Sequence, residues 1–246
     1  MLKKFNSIFG FVILLSAIAS AQIPDTYTNL KILPKDISKQ QLLETMKGFS
    51  GALGVRCNFC HDGEEGQPLS TFDFASDEKT NKNKARIMLE MVNTINAKHL
   101  SKISEYGEKV TNVSCITCHR GASAPKLLED LLYEEIISKS IDEAILTYHN
   151  LHDEYYGGFT YDFKDHTLMN LTNTLINSQM IEEAISIGKL NLEMYPNSGI
   201  AYFGLASAYE KNNDNENAIK NYESALELMP RGADFLKRKI ESLKEN

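Results

Sequence analysis

Two five-residue runs hold the side chains best suited to chemistry. Cys57-Asn58-Phe59-Cys60-His61 and Cys115-Ile116-Thr117-Cys118-His119 share the form C-x-x-C-H. Two thiols at this spacing reach the two vinyl groups of one haem. A histidine directly after the second thiol can enter below the iron. This is the attachment signature of c-type haem. The pattern predicts two covalently bound c-type haems, attached through Cys57, Cys60, Cys115 and Cys118. His61 and His119 are then the proximal iron ligands. The competing readings are a zinc site or a thioredoxin-like redox motif. Four-cysteine zinc sites separate their pairs by about 15–20 residues, far less than Cys60 to Cys115. No β-α-β pattern accompanies the motifs, as a thioredoxin motif requires.

The sixth ligand is a separate question. A methionine thioether is a soft donor that raises the reduction potential, whereas a histidine lowers it. Met46 lies fifteen residues before His61, on the apolar face of the helix leading to the first motif. Ligation and plain core packing both fit such a methionine. For the second haem the candidates are Met88 and Met91, with His99 a third.

The elements that position these residues read as helices. Ser38 and Gln41 form an S-x-x-Q capping box, with Ile37 and Leu42 as a hydrophobic staple. Leu42, Met46, Phe49 and Leu53 then share one helical face. Residues 62–78 read as a loop. A second helix is expected over 78–103, with Ala85, Met88, Val92, Ile95 and His99 on one face, and a break at 105–112. Gly121 and Pro125 mark a boundary.

From about Lys126 onward helices without cysteine take over. Ala184 and Pro196 recur as Ala218 and Pro230, an offset of 34 residues, which is the tetratricopeptide period. Tyr202, Leu205, Ala206 and Tyr209 fall on the first helix of the clearer copy. Ala218, Tyr222 and Ala225 fall on its second, and Pro230 closes it. The copy before it is degenerate, with Leu168, Leu171 and Leu175 on its first helix. A truncated unit spans 131–155, the segment 157–165 interrupts the period, and 237–245 caps the array. Such repeats stack into a solenoid that binds a peptide or a partner subunit.

The fold class is therefore all-α. Residues 1–21 are a signal peptide, 22–125 a small dihaem cytochrome c domain of helix–turn–CxxCH units, and 126–246 a tetratricopeptide-like α-solenoid. The signal reading rests on Lys3 and Lys4, the apolar run 8–18 and Ala19-Ser20-Ala21 as a cleavage site. That run is short for a membrane span of about 20 residues, so a soluble periplasmic or otherwise exported protein is expected. An uncleaved signal would instead leave a membrane-anchored form. All four cysteines lie in the two motifs, so none is left for a disulfide. A formal charge of −7 without a basic run argues against nucleic acid.

A resemblance adds to this reading. The run Ala85-Arg86-Ile87-Met88-Leu89-Glu90-Met91 through Ile95-Asn96, followed by Cys115 to Gly121, resembles the cytochrome c subunit of photosynthetic reaction centres. Leu42-Leu43-Glu44-Thr45-Met46 before Cys57 to His61 is similar to the first haem unit of the same family. The likeness covers roughly residues 30–123. It implies that Met46 ligates the haem of His61, and that Met88 rather than Met91 ligates the haem of His119. The family's subunits carry four haems; this chain has two motifs, lacks the usual lipid-anchor cysteine, and has a repeat domain in place of the second haem pair. The family's distant-haem histidine has no counterpart at its usual spacing. His99 lies about three residues closer to Met88 and is read as packing or as a haem-propionate neighbour. Arg86 and Arg120 are candidate propionate partners. His149, His152 and His166 are read as surface residues.

The function expected from all this is single-electron transfer without catalysis. The partner is a redox protein or a membrane electron-transfer complex, docked through the repeats. The alternatives are a dihaem enzyme such as a peroxidase, which needs an open distal site, and an interaction module whose haems are sensory or structural.

Overall fold

The computed structural model describes residues 26–107 and 109–245. The signal expected over 1–21 lies outside the described residues. Among those described there are ten α-helices, several 3-10 turns, one π turn and an isolated antiparallel bridge between Asp62 and Asp73. The all-α expectation holds. By contact the chain divides into two units, Met1–Ser50 with Val55–Ser114, and Gly51–Gly54 with Cys115–Asn246.

Helix α1 (Lys39–Leu53), whose last three residues group with the second unit, starts at the expected capping box. The Gln41 N–H donates to Ser38 Oγ at 3.3 Å, and the Ser38 N–H donates to Gln41 Oε1 at 3.2 Å. Two amide donors that the helix itself leaves unpaired are thereby satisfied. The second helix begins as α2 (Thr80–Thr94) and then changes its winding twice. A π turn follows over Ile95–His99 and a 3-10 stretch over Leu100–Tyr106, ended by Gly107 at φ +79°. The wide turn carries Asn96. Its Nδ2 donates to Val113 O and its Oδ1 accepts from the Val113 N–H, both at 2.8 Å. One side chain thus clasps the backbone just ahead of the second motif.

Asp77 is the electrostatic centre of the first unit. Its carboxylate meets Lys31 Nζ at 2.7 Å, Arg86 Nη1 at 2.8 Å and Lys82 Nζ at 3.4 Å. Asn29 Nδ2 donates to it at 2.8 Å. The Lys31 hydrogen bond, followed by those from Arg86 and Asn29, holds its carboxyl well below the usual carboxylate range, against the opposing effect of burial. Arg86 also donates to Asn29 O, so the lead-in segment is tied to α2 through one acid.

Burial differs sharply between the units. Among the described residues of the first unit, Leu42 and Lys82 are the only buried side chains. The Lys82 ammonium donates to Phe74 O and Ser76 O. The second unit has a continuous apolar core. α4 (Leu128–Ser138), α5 (Ile141–Tyr155), α6 (Asp165–Asn177) and α7 (Ile181–Met194) pack around Leu132, Leu168, Leu171, Leu175 and Ile187. α8 (Gly199–Lys211), α9 (Asn215–Leu228) and α10 (Ala233–Lys244) enclose Ala206, Ala218, Tyr222, Ala225, Leu236 and Ile240. Each helix pair packs on the next, as a stacked repeat requires. Gln179 at φ +63° and Asn213 at φ +57° turn the chain left-handed at equivalent places in successive repeats. Ser140, Ser198 and Asp214 cap three of the helices with side-chain oxygens.

Two outcomes follow from this packing. Leu168→Ala, at a site with no exposed surface, lowers the unfolding free energy of the repeat unit by about 2–5 kcal/mol, read by urea denaturation. Asp77 contributes stability that is present above the ordinary aspartate value of about 3.9 and lost as pH falls through its depressed folded value. Asp77→Asn therefore lowers the urea midpoint at pH 7 and flattens its fall between pH 5 and pH 2; an unchanged acid limb would rule out this role.

Candidate haem sites

The first motif is a compact turn. Cys57–Phe59 form a 3-10 turn, and the Cys60 and His61 N–H groups both donate to Cys57 O, at 3.2 and 2.9 Å. Asn81 Nδ2 donates to Phe59 O, and the Asp73 N–H donates to Asp62 O just beyond the histidine. The ring of His61 meets Phe74 edge-on, with centroids 5.0 Å apart. Its Nδ1 is buried and has no hydrogen-bond partner. Burial, then the positive charges of Lys82 and Arg86, push its pKa down to about 4. The imidazole is therefore neutral at physiological pH, the form in which histidine ligates a metal.

The second motif is a short helix, α3 (Cys115–His119). The chain leaves it through two left-handed residues, Arg120 at φ +50° and Gly121 at φ +92°. The Gly121 N–H donates to Ala52 O at 2.9 Å. A Cβ on Gly54 would lie 2.0 Å from Gly121 O, so glycine is required there. His119 Nδ1 lies 3.0 Å from Ala122 O. A carbonyl oxygen only accepts, so Nδ1 carries the proton and Nε2 offers its lone pair. This is the usual arrangement behind a metal-bound imidazole, whose other nitrogen donates to a fixed acceptor.

Burial pushes the Cys60 thiol up, reinforced by Cys57 and opposed by Lys82. Burial also raises Cys115. Among the described residues no group of three or more His, Cys, Asp or Glu side chains is arranged to hold a metal ion.

The three candidate methionines lie on α1 and α2. Met46 is half-buried on α1, beside half-buried Phe49 and one turn from buried Leu42. Met88 and Met91 lie on α2 and are 37% and 42% exposed. Their neighbour Ile87 is 67% exposed. An apolar helix face this open suits a large apolar ligand. Together with the scarcity of buried side chains in the first unit, it fits the residues to haem.

Other candidates resolve differently. Arg86 is committed to Asp77, Asn83 and Asn29 O, so its guanidinium is a structural tie. His99 is exposed, in the π turn. His166 is exposed near Asp162. His149 and His152 are half-buried, not surface residues. His152 stacks on Tyr156 at 4.4 Å and meets Phe163 at 5.3 Å. Those partners come from beyond the end of α5, which the helical periodicity does not reveal. Asp77, Lys82, Asn96 and Thr160 were not visible as site-organising residues. The asparagine within a helical pattern at 96 was the one local signal, since asparagine is a poor helix former.

Comparison with known proteins agrees with the sequence. Residues 16–130 match the photosynthetic reaction centre cytochrome c subunit family, and residues 200–231 match a tetratricopeptide repeat. Cytochrome c-554 of Chloroflexus aurantiacus is 35% identical over 108 residues, covering 44% of this chain and 23% of its own length. The photosynthetic reaction center cytochrome c subunit of Thermochromatium tepidum is 31% identical over 104 residues, covering 42% and 22%. Tetratricopeptide repeat protein 17 of Danio rerio is 33% identical over 67 residues, covering 27% and 6%. The chain thus spans less than a quarter of the length of each of these relatives. Over residues 16–130 the chain is similar to the photosynthetic reaction centre cytochrome c subunit family, and a tetratricopeptide repeat lies in the helical array that follows.

Proposed function

We propose that the chain is an exported dihaem c-type cytochrome that transfers single electrons and is not an enzyme. The observation that carries this reading is the pair of histidines, each directly after two thiols. The neutral ring of His61 and the fixed Nδ1 of His119 leave a lone pair for iron in both. A thioether-linked haem supplies a one-electron iron couple. The chain's residues set its conditions. Cys57, Cys60, Cys115 and Cys118 fix two such groups. His61 and His119 would hold the two irons together with Met46 and Met88, with Met91 as the alternative to Met88. A thioether at the sixth position raises the potential and closes the site to small ligands. The 22–125 segment is the cytochrome domain, and the 126–246 segment docks a redox partner or membrane complex. Export rests on residues 1–21. Among the described residues no helix is long and apolar enough to cross a membrane.

Spectra and mass test this directly. The expected result is two haems per chain that survive acid-acetone extraction. The ferric protein shows a methionine-to-iron band near the red end, and the reduced protein binds little carbon monoxide. Met46→Ala and Met88→Ala each remove about half of that band, and Met91→Ala leaves it. Loss in Met91→Ala alone reverses the choice of ligand, and extractable haem ends the covalent assignment. A high-spin haem that binds carbon monoxide readily favours the enzyme reading.

Stability gives a separate check. The double variant Cys57→Ser/Cys60→Ser leaves the first unit without its apolar centre. Trypsin is expected to degrade residues 26–114 in that variant while residues 128–244 stay protected and helical. Equal protection of both segments would show that the first unit folds without the cofactor.

A further inference from the structure

The segment Gly157–Asp165, which interrupts the repeat period, has a role the repeats do not explain. Thr160 is 8% exposed, and its Oγ1 donates to Arg120 O at 2.7 Å. Arg120 is the residue directly after His119, at φ +50°, a conformation that a side chain with a Cβ rarely holds unaided. Gly121 follows at φ +92°, and a Cβ built there would lie 3.2 Å from Thr160 Oγ1. The same turn delivers Ala122 O to His119 Nδ1 at 3.0 Å. The Ala122 N–H donates back to His119 O at 2.9 Å. One buried hydroxyl therefore pins the carbonyl of the strained residue on which the orientation of the imidazole depends. His61 Nδ1 has no partner at all, so the two histidines are held differently.

We infer that Thr160 is a positioning residue for His119, and that it tunes the haem attached at Cys115 and Cys118 but not the one at Cys57 and Cys60. This rests on the dihaem reading above. The physical route is the Nδ1–H···O=C bond. A firm acceptor behind the ring makes the imidazole a better donor and favours ferric iron. Loosening Arg120 and Gly121 weakens that bond and raises the potential of one haem.

The test uses the full-length holoprotein. Thr160→Val keeps the side-chain shape and removes the hydroxyl; Thr160→Ser keeps the hydroxyl. In a redox titration resolved into two components, T160V is expected to raise one component. The ferrous-to-ferric ratio at fixed potential changes about threefold, or ~28 mV at 59 mV per decade for one electron. The other component stays in place, and T160S restores the wild-type curve. Amide exchange at Gly121 and Ala122 speeds up in T160V and recovers in T160S. If T160V matures poorly, Thr160→Ala carries the same expectation. Faster exchange with neither component moved reduces Thr160 to a structural tie and overturns the inference. So does an equal shift of both components, or a shift that T160S fails to reverse. Absence of haem mass on the wild-type peptide containing Cys115 and Cys118 is a different result. It ends the dihaem reading itself, and the role of Thr160 with it.

Discussion

The first unit depends on apolar burial that its own side chains do not provide. Leu42 is the one apolar residue buried among its described positions, and the other buried group there is a lysine. Folding must offset a large loss of chain entropy, and apolar burial is the main favourable contribution. Hydrogen bonds such as the Asn96 clasp and the Asp77 network specify geometry, but each contributes little net stability. A segment built this way needs a large apolar body around which α1, the first motif and α2 can close. Haem has that character. In the proposed reading the cofactor is the core of the unit as well as its redox centre.

The second unit follows the opposite plan. Its helices bury leucine, alanine and tyrosine in two clusters, with small residues where helices approach and side-chain caps at their starts. The second C-x-x-C-H motif groups by contact with this self-sufficient array. Its exit turn is held by Ala52 and Thr160, both within the same unit. The two motifs are alike in sequence and differ in support: a compact loop around Phe74 for His61, a strained and bolted turn for His119.

Much of this was legible in the sequence because it is local. The Ser38–Gln41 capping box, the 34-residue period and both C-x-x-C-H motifs are short-range patterns, and the structure contains each of them. What escaped notice is long-range or conformational. Asp77 draws partners from Asn29 to Arg86, and no periodicity encodes such a convergence. Arg86 looked free for a propionate because its acceptors lie in a loop of unknown path. His152 read as surface because its stacking partners belong to the turn after α5. The π turn at Ile95–His99 has no local signal in the sequence beyond Asn96, and its wider winding leaves His99 exposed although α-helical spacing places it on the apolar face. The choice between Met88 and Met91 came from resemblance; helix geometry places both near one face.

The grouping of the second motif with a unit that has its own core bears on biogenesis. A thiol is alkylated by a vinyl group most easily while its chain is still open. On the dihaem reading the first unit closes around its cofactor, so Cys57 and Cys60 stay open until attachment. Cys115 and Cys118 group instead with a unit that has its own apolar core. On the same reading, attachment at that site competes with the packing of the 157–165 segment, whose Thr160 holds Arg120 O.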